Sequence, residues 1–128
     1  MPPSQPAEPA RILLVEDDIS LLGALRFALE ADGYYVAAAM TGADTIAFAG
    51  PADCLVVDLK LPDMDGLSLI ARLRGEGVAA PAILITSNPD ERCRRAAMKA
   101  GVQIVEKPLV DGQLRDSIAA AVGRRPSI

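Results

Sequence analysis

The chain of 128 residues has no histidine and no tryptophan, only 3% aromatic residues and two cysteines. Without histidine it cannot itself be a phosphohistidine carrier. Cys54 lies in an apolar run and Cys93 in a polar one, so the pair makes no disulfide framework and reads as two reduced thiols. Acidic residues outnumber basic ones, 17 to 13. The net charge of −4 repels polyanions, and nucleic-acid binding usually rests on clustered Lys and Arg, so no DNA partner is expected. No apolar run approaches the ~18 residues of a membrane span, and the N-terminus lacks the basic-then-apolar layout of a signal peptide. No membrane association is expected, and the expected location is the cytoplasm.

Hydrophobic residues still make up 51% of the chain, mostly Ala, Leu, Ile and Val, which suits helices packed on a buried sheet. The length fits one domain with a real core. Residues 1–9 carry four prolines and read as a disordered lead, 10–123 as the folded domain and 124–128 as a tail.

Within 10–123 two periodicities alternate. Ile12–Val15 is a short continuous apolar run, the mark of a strand covered on both faces. Leu21, Leu22, Leu25, Ala28 and Leu29 then recur at helical spacing until Asp32-Gly33. Further strands are expected at 34–38, 54–57, 82–85 and 103–105. Helices are expected from Thr41 to Ala49, from Gly66 to Arg74, from the Asn88-Pro89-Asp90 turn to Lys99, and around Leu114, Ile118, Ala121 and Val122. Asp18 and Thr41 are candidate N-caps, while Asp63 and Asp65 are expected to serve the turn before Gly66. The order is βα repeated five times: an α/β, doubly wound (βα)5 fold, with a five-stranded parallel sheet and helices on both faces.

In such sheets the site lies beyond the carboxyl ends of the strands. Those ends read Glu16-Asp17, Asp58, Thr86 and Lys107. Three clustered carboxylates repel one another unless a cation sits among them, and an all-oxygen set with room for water suits Mg2+. A nucleophile, a metal, a hydroxyl and an ammonium are what phosphoryl transfer requires. Asp58 is the best nucleophile, because it ends the central strand and precedes the irregular loop from Leu61 to Gly66.

Four segments, Ile12-Leu-Leu-Val-Glu-Asp-Asp, Val57-Asp58-Leu-Lys-Leu-Pro-Asp-Met-Asp-Gly66, Ile83-Leu-Ile-Thr-Ser87 and Glu106-Lys-Pro108, resemble the receiver domain of two-component response regulators. The likeness spans about residues 10–123 and implies the flavodoxin-like receiver fold. It implies that Asp58 is the phosphoacceptor, that Asp17 ligates Mg2+ directly and Glu16 through water, and that the Lys60 backbone carbonyl completes the protein's ligands. Thr86 would bond a phosphoryl oxygen, and Lys107 would pair with Asp58 and then with the phosphoryl group. The Lys107–Pro108 bond would be cis. The donor would be a phosphohistidine on a sensor kinase or phosphotransfer protein, docking along the first helix at Ser20, Leu21 and Ala24, with Ile104 and Pro108 as further candidate contacts.

Two positions depart from the family pattern. Ile104 stands where receivers usually carry a switching aromatic, and it has a stiff χ1 and no polar tip. Lys60 places a flexible cation near the acceptor, where it is expected to alter autodephosphorylation. Arg92, Arg95 and Lys99 share one helix face, by default a solvated one and otherwise an acidic-partner or dimer surface. With no effector segment after residue 123, output is expected through protein contact, homodimerisation or onward phosphoryl transfer. Two competing readings stay open. One is an interaction module that never takes phosphate. The other is a Mg2+-dependent phosphohydrolase, disfavoured because Lys60 stands where such enzymes commonly place a second aspartate as general acid.

Overall fold

The computed structural model describes residues 8–48, 50–109 and 112–123. The tail at 124–128, Ala49 and all of the lead except Glu8 and Pro9 lie outside the described residues.

Among the described residues five strands and five helices alternate: β1 (Arg11–Val15), α1 (Ile19–Ala31), β2 (Tyr35–Ala39), α2 (Gly42–Phe48), β3 (Cys54–Asp58), α3 (Gly66–Gly75), β4 (Ala82–Thr86), α4 (Glu91–Ala100), β5 (Gln103–Glu106) and α5 (Gln113–Ala121). All strand pairs are parallel, in the order β2-β1-β3-β4-β5. This is the expected α/β architecture, with β3 at its centre.

The inner strands β3 and β4 are buried along their whole length, and β1 beyond Arg11, because helices cover both faces, as parallel sheets require. Alternate residues Ile12, Leu14, Val56, Ile83 and Ile85 pack with Leu29 of α1 and with Leu114 and Ile118 of α5. Their neighbours Leu13, Val15, Leu55, Val57 and Leu84 pack with Leu69, Ile70 and Leu73 of α3 and Ala97 of α4. The period-2 geometry of a strand sends successive side chains to opposite layers. The two cores therefore interleave in sequence while lying on opposite faces of one sheet.

Side-chain caps define where several helices begin. Asp18 accepts from the amides of Ser20 and Leu21, and Thr41 Oγ1 from Asp44, as expected for N-caps. Asp65 caps α3 through Ser68. The fourth helix starts at the turn the sequence implies: Asp90 is its N-cap, bonding the Cys93 amide, and Pro89 stands just before the cap. Gly101 ends that helix at φ 67°, a left-handed position that suits glycine. No helix among the described residues is long and apolar enough to cross a membrane.

Candidate functional site

Strand order brings the acidic ends together. β1 and β3 are hydrogen-bonded neighbours in which Val15 is opposite Val57, so each strand releases its chain at the same edge. Glu16 follows β1 directly and is fully buried; Asp58, the last residue of β3, is 6% exposed. Asp17 is exposed. Carboxylate oxygens of Glu16, Asp17 and Asp58 all lie within 4.8 Å of one another.

Lys107 reaches this cluster from the end of β5. Its Nζ lies 3.0 Å from Glu16 Oε1 and 3.2 Å from Asp58 Oδ2, bridging the two buried carboxylates. The peptide bond from Lys107 to Pro108 is cis, as the motif implied. Thr86 ends β4 and is buried, and its carbonyl accepts the Lys107 amide at 2.9 Å. Since Asp90 takes the capping role at α4, Thr86 is not the cap of that helix.

Electrostatics at the site follow from crowding. Burial pushes the Glu16 carboxyl above its ordinary range, and nearby Asp58 adds to the shift; the Asp18 amide and the Lys107 ammonium act against it without cancelling it. Burial works to lower Lys107, but the Glu16 and Asp58 carboxylates outweigh it and hold the ammonium above its usual value. Glu16 Oε2 accepts the Asp18 amide at 3.0 Å. Glu16 Oε1 faces the ammonium but has no well-directed hydrogen-bond donor among the described residues. A buried oxygen with unused lone pairs, in a cluster of three carboxylates facing one ammonium, fits a hard divalent cation that brings its own water.

The loop after Asp58 is built to fold back beside it. The Lys60 amide donates to Asp58 Oδ1 at 3.3 Å, Lys60 and Asp65 form a β-bridge, and the Gly66 amide donates to the Leu59 carbonyl at 2.7 Å. A Cβ at Gly66 would overlap the Asp58 carbonyl oxygen, so only glycine lets α3 start this close to the acceptor strand. The Lys60 side chain is exposed.

Asp63 differs from its expected role. It does not serve the turn before Gly66; its two oxygens accept the amides of Gly42 at 2.8 Å and Ala43 at 2.9 Å, at the start of α2. Those two amides hold the Asp63 carboxyl below its ordinary value. No local pattern announces a cap supplied from about twenty residues away.

The candidate contact residues separate into two places. Leu21, Ala24 and Pro108 line one groove of about 560 Å³ between α1, the segment after β5 and α5, together with Leu25 and Leu109. Exposed Ser20 stands at the start of α1, outside that lining. Ile104 is half-buried on the opposite face, packed against the α3–α4 core. Arg92, Arg95 and Lys99 are exposed, as a solvated face requires.

Comparison with known proteins agrees with this geometry. The family described as response regulator receiver domain matches residues 12–119. The transcriptional regulatory protein KdpE of Mycobacterium tuberculosis is 35% identical over 116 residues, covering 88% of this chain and 51% of KdpE. FixJ of Azorhizobium caulinodans, also a transcriptional regulatory protein, is 30% identical over 127 residues, covering 97% of this chain and 58% of FixJ. The chain spans about half the length of the curated relatives it matches. Among solved structures, a CheY-like receiver domain protein from Methanospirillum hungatei superimposes with a TM-score of 0.84 at 26% identity, covering 90% of this chain and 94% of that one. The non-phosphorylated HemR receiver domain from Leptospira biflexa gives 0.83 at 28% identity, covering 93% and 99%. The chain belongs to the response-regulator receiver-domain family, the signalling switch of two-component phosphorylation.

Proposed function

We propose that Asp58 accepts a phosphoryl group from a phosphohistidine of a sensor kinase or phosphotransfer protein, in a Mg2+-dependent reaction catalysed by the receiver itself. The observation that carries this reading is the cluster of Glu16, Asp17 and Asp58 with Lys107 bridging two of its members. A carboxylate oxygen of Asp58 attacks phosphorus, the P–N bond to imidazole breaks as the P–O bond forms, and the histidine regains a proton from solvent. Asp17, Asp58 and the Lys60 carbonyl would hold the metal, with Glu16 acting through water. When bound, Mg2+ neutralises charge on the phosphoryl oxygens.

Lys107 starts beside Asp58 and supplies positive charge to the phosphoryl group once it arrives. The Thr86 hydroxyl, at the end of the adjacent strand, donates to another phosphoryl oxygen. Lys60, whose exposed ammonium stands two residues from the acceptor, tunes the lifetime of the aspartyl phosphate. The groove containing Leu21, Ala24 and Pro108 receives the donor protein, with Ser20 at its approach. Ile104 serves the output face, where a stiff aliphatic replaces a swinging ring. Output runs through protein contact, homodimerisation or onward transfer rather than through DNA contact by these acidic residues.

Intact mass after incubation with acetyl phosphate, with and without Mg2+, tests the reading. A labile phosphoryl adduct that needs Mg2+ and disappears in Asp58→Asn is expected. Absence of any adduct from acetyl phosphate and from histidine-kinase donors would reduce the chain to an interaction module.

A further inference from the structure

The loop from Leu59 to Gly66 connects the acceptor to α3 and carries the Lys60 carbonyl. Its two roots are pinned by the Lys60–Asp65 bridge and the Gly66–Leu59 hydrogen bond. Its apex is held differently. Asp63 spans across to α2 and takes both the Gly42 and Ala43 amides, and the Met64 side chain sits where a Cβ at Gly42 would be. The turn that receives Asp63 follows β2 directly, and the Ala39 carbonyl at the end of β2 accepts the Glu16 amide at 3.0 Å. The segment bearing Glu16 and the segment bearing Lys60 are thus tied to the same β2–α2 turn, one by a backbone bond and the other by the Asp63 carboxylate.

We propose that Asp63 is a positioning residue for the metal-binding site: its bidentate cap on α2 fixes the Lys60 segment relative to Glu16 and so sets Mg2+ affinity. This rests on the reading of the acidic cluster as a Mg2+ site. Residues that orient metal ligands without touching the ion commonly influence affinity strongly. A plain helix cap would matter only through stability, and the same helix has such a cap in Thr41, whose Oγ1 accepts the Asp44 amide at 3.0 Å, a bond within its own segment. Thr41 is therefore the internal control.

The test is Mg2+ titration of the intact chain followed by amide NMR shifts, alongside the Mg2+ dependence of phosphorylation by acetyl phosphate. Asp63→Ala should weaken Mg2+ binding by roughly tenfold, with the phosphorylation rate at saturating Mg2+ staying near wild type. Asp63→Asn retains one acceptor oxygen and should recover part of the affinity. Thr41→Ala should lower stability while leaving Mg2+ affinity unchanged. Wild-type affinity in Asp63→Ala, or an equal loss in Thr41→Ala, would overturn the positioning role while leaving the proposed function intact. A wild-type chain that binds no Mg2+ would overturn both.

Discussion

Replacing Lys107 by methionine removes the ammonium between Glu16 and Asp58 while keeping most of the side-chain volume. The two contacts, at 3.0 and 3.2 Å, are each a gross attraction of about 5 kcal/mol at an effective dielectric near 20. Desolvation of the three charges returns much of that sum, and breaking a buried pair costs about 3–5 kcal/mol. The lysine side chain is 21% exposed, so water screens part of the interaction and can hydrate the carboxylates it leaves behind. A net loss of about 2–3 kcal/mol is therefore expected in Mg2+-free buffer. The same substitution removes a cation that competes for the carboxylate oxygens. Mg2+ should bind Lys107→Met more tightly than wild type and restore part of the lost stability by mass action. Urea unfolding in EDTA and in millimolar Mg2+, with calorimetric Mg2+ titration, measures both effects. An unchanged midpoint in EDTA, or weaker Mg2+ binding, would refute the view that Lys107 is the charge balancing these carboxylates.

Three further outcomes are expected. Gly66→Ala places a Cβ against the Asp58 carbonyl, where the obstruction is backbone that no rotamer change relieves; a loss of about 1–3 kcal/mol should appear in urea unfolding, and wild-type stability would contradict the close approach. Asp63 is depressed below its ordinary 3.8 in the folded chain, so its contribution is present above that value and is lost as pH falls through the lower folded value. The stability gap between wild type and Asp63→Asn should accordingly close on acidification below about pH 4, and a gap independent of pH would exclude the carboxylate cap. Finally, burial pushes the fully enclosed Cys54 thiol up to about 12, whereas Cys93 is partly exposed. A thiol reagent should label Cys93 first in the native chain and Cys54 only on unfolding; early labelling of Cys54 would show that β3 opens.

The sequence alone determined the alternation of elements and the residues at the strand ends. Both are local properties: an apolar run of four or five residues ends where charge begins, and a 3.6-residue period follows. Asp18, Thr41 and Asp65 were legible as caps or turn residues because each bonds an amide two or three positions ahead. The start of α4 was legible to the turn Asn88-Pro89-Asp90 but not to the residue, since Pro89 suits a first turn as well as the position before an N-cap. Only the tertiary structure decided which strand ends meet. The order β2-β1-β3-β4-β5 seats Glu16 beside Asp58 across 42 residues, and Lys107 reaches both from β5. The order also separated the groove of Leu21, Ala24 and Pro108 from Ile104, although Ile104 and Pro108 are only four residues apart. Asp63 shows the limit most plainly. A carboxylate in a loop has no preferred partner until packing presents one, and here α2 arrives with two unpaired amides that only the folded chain places within its reach.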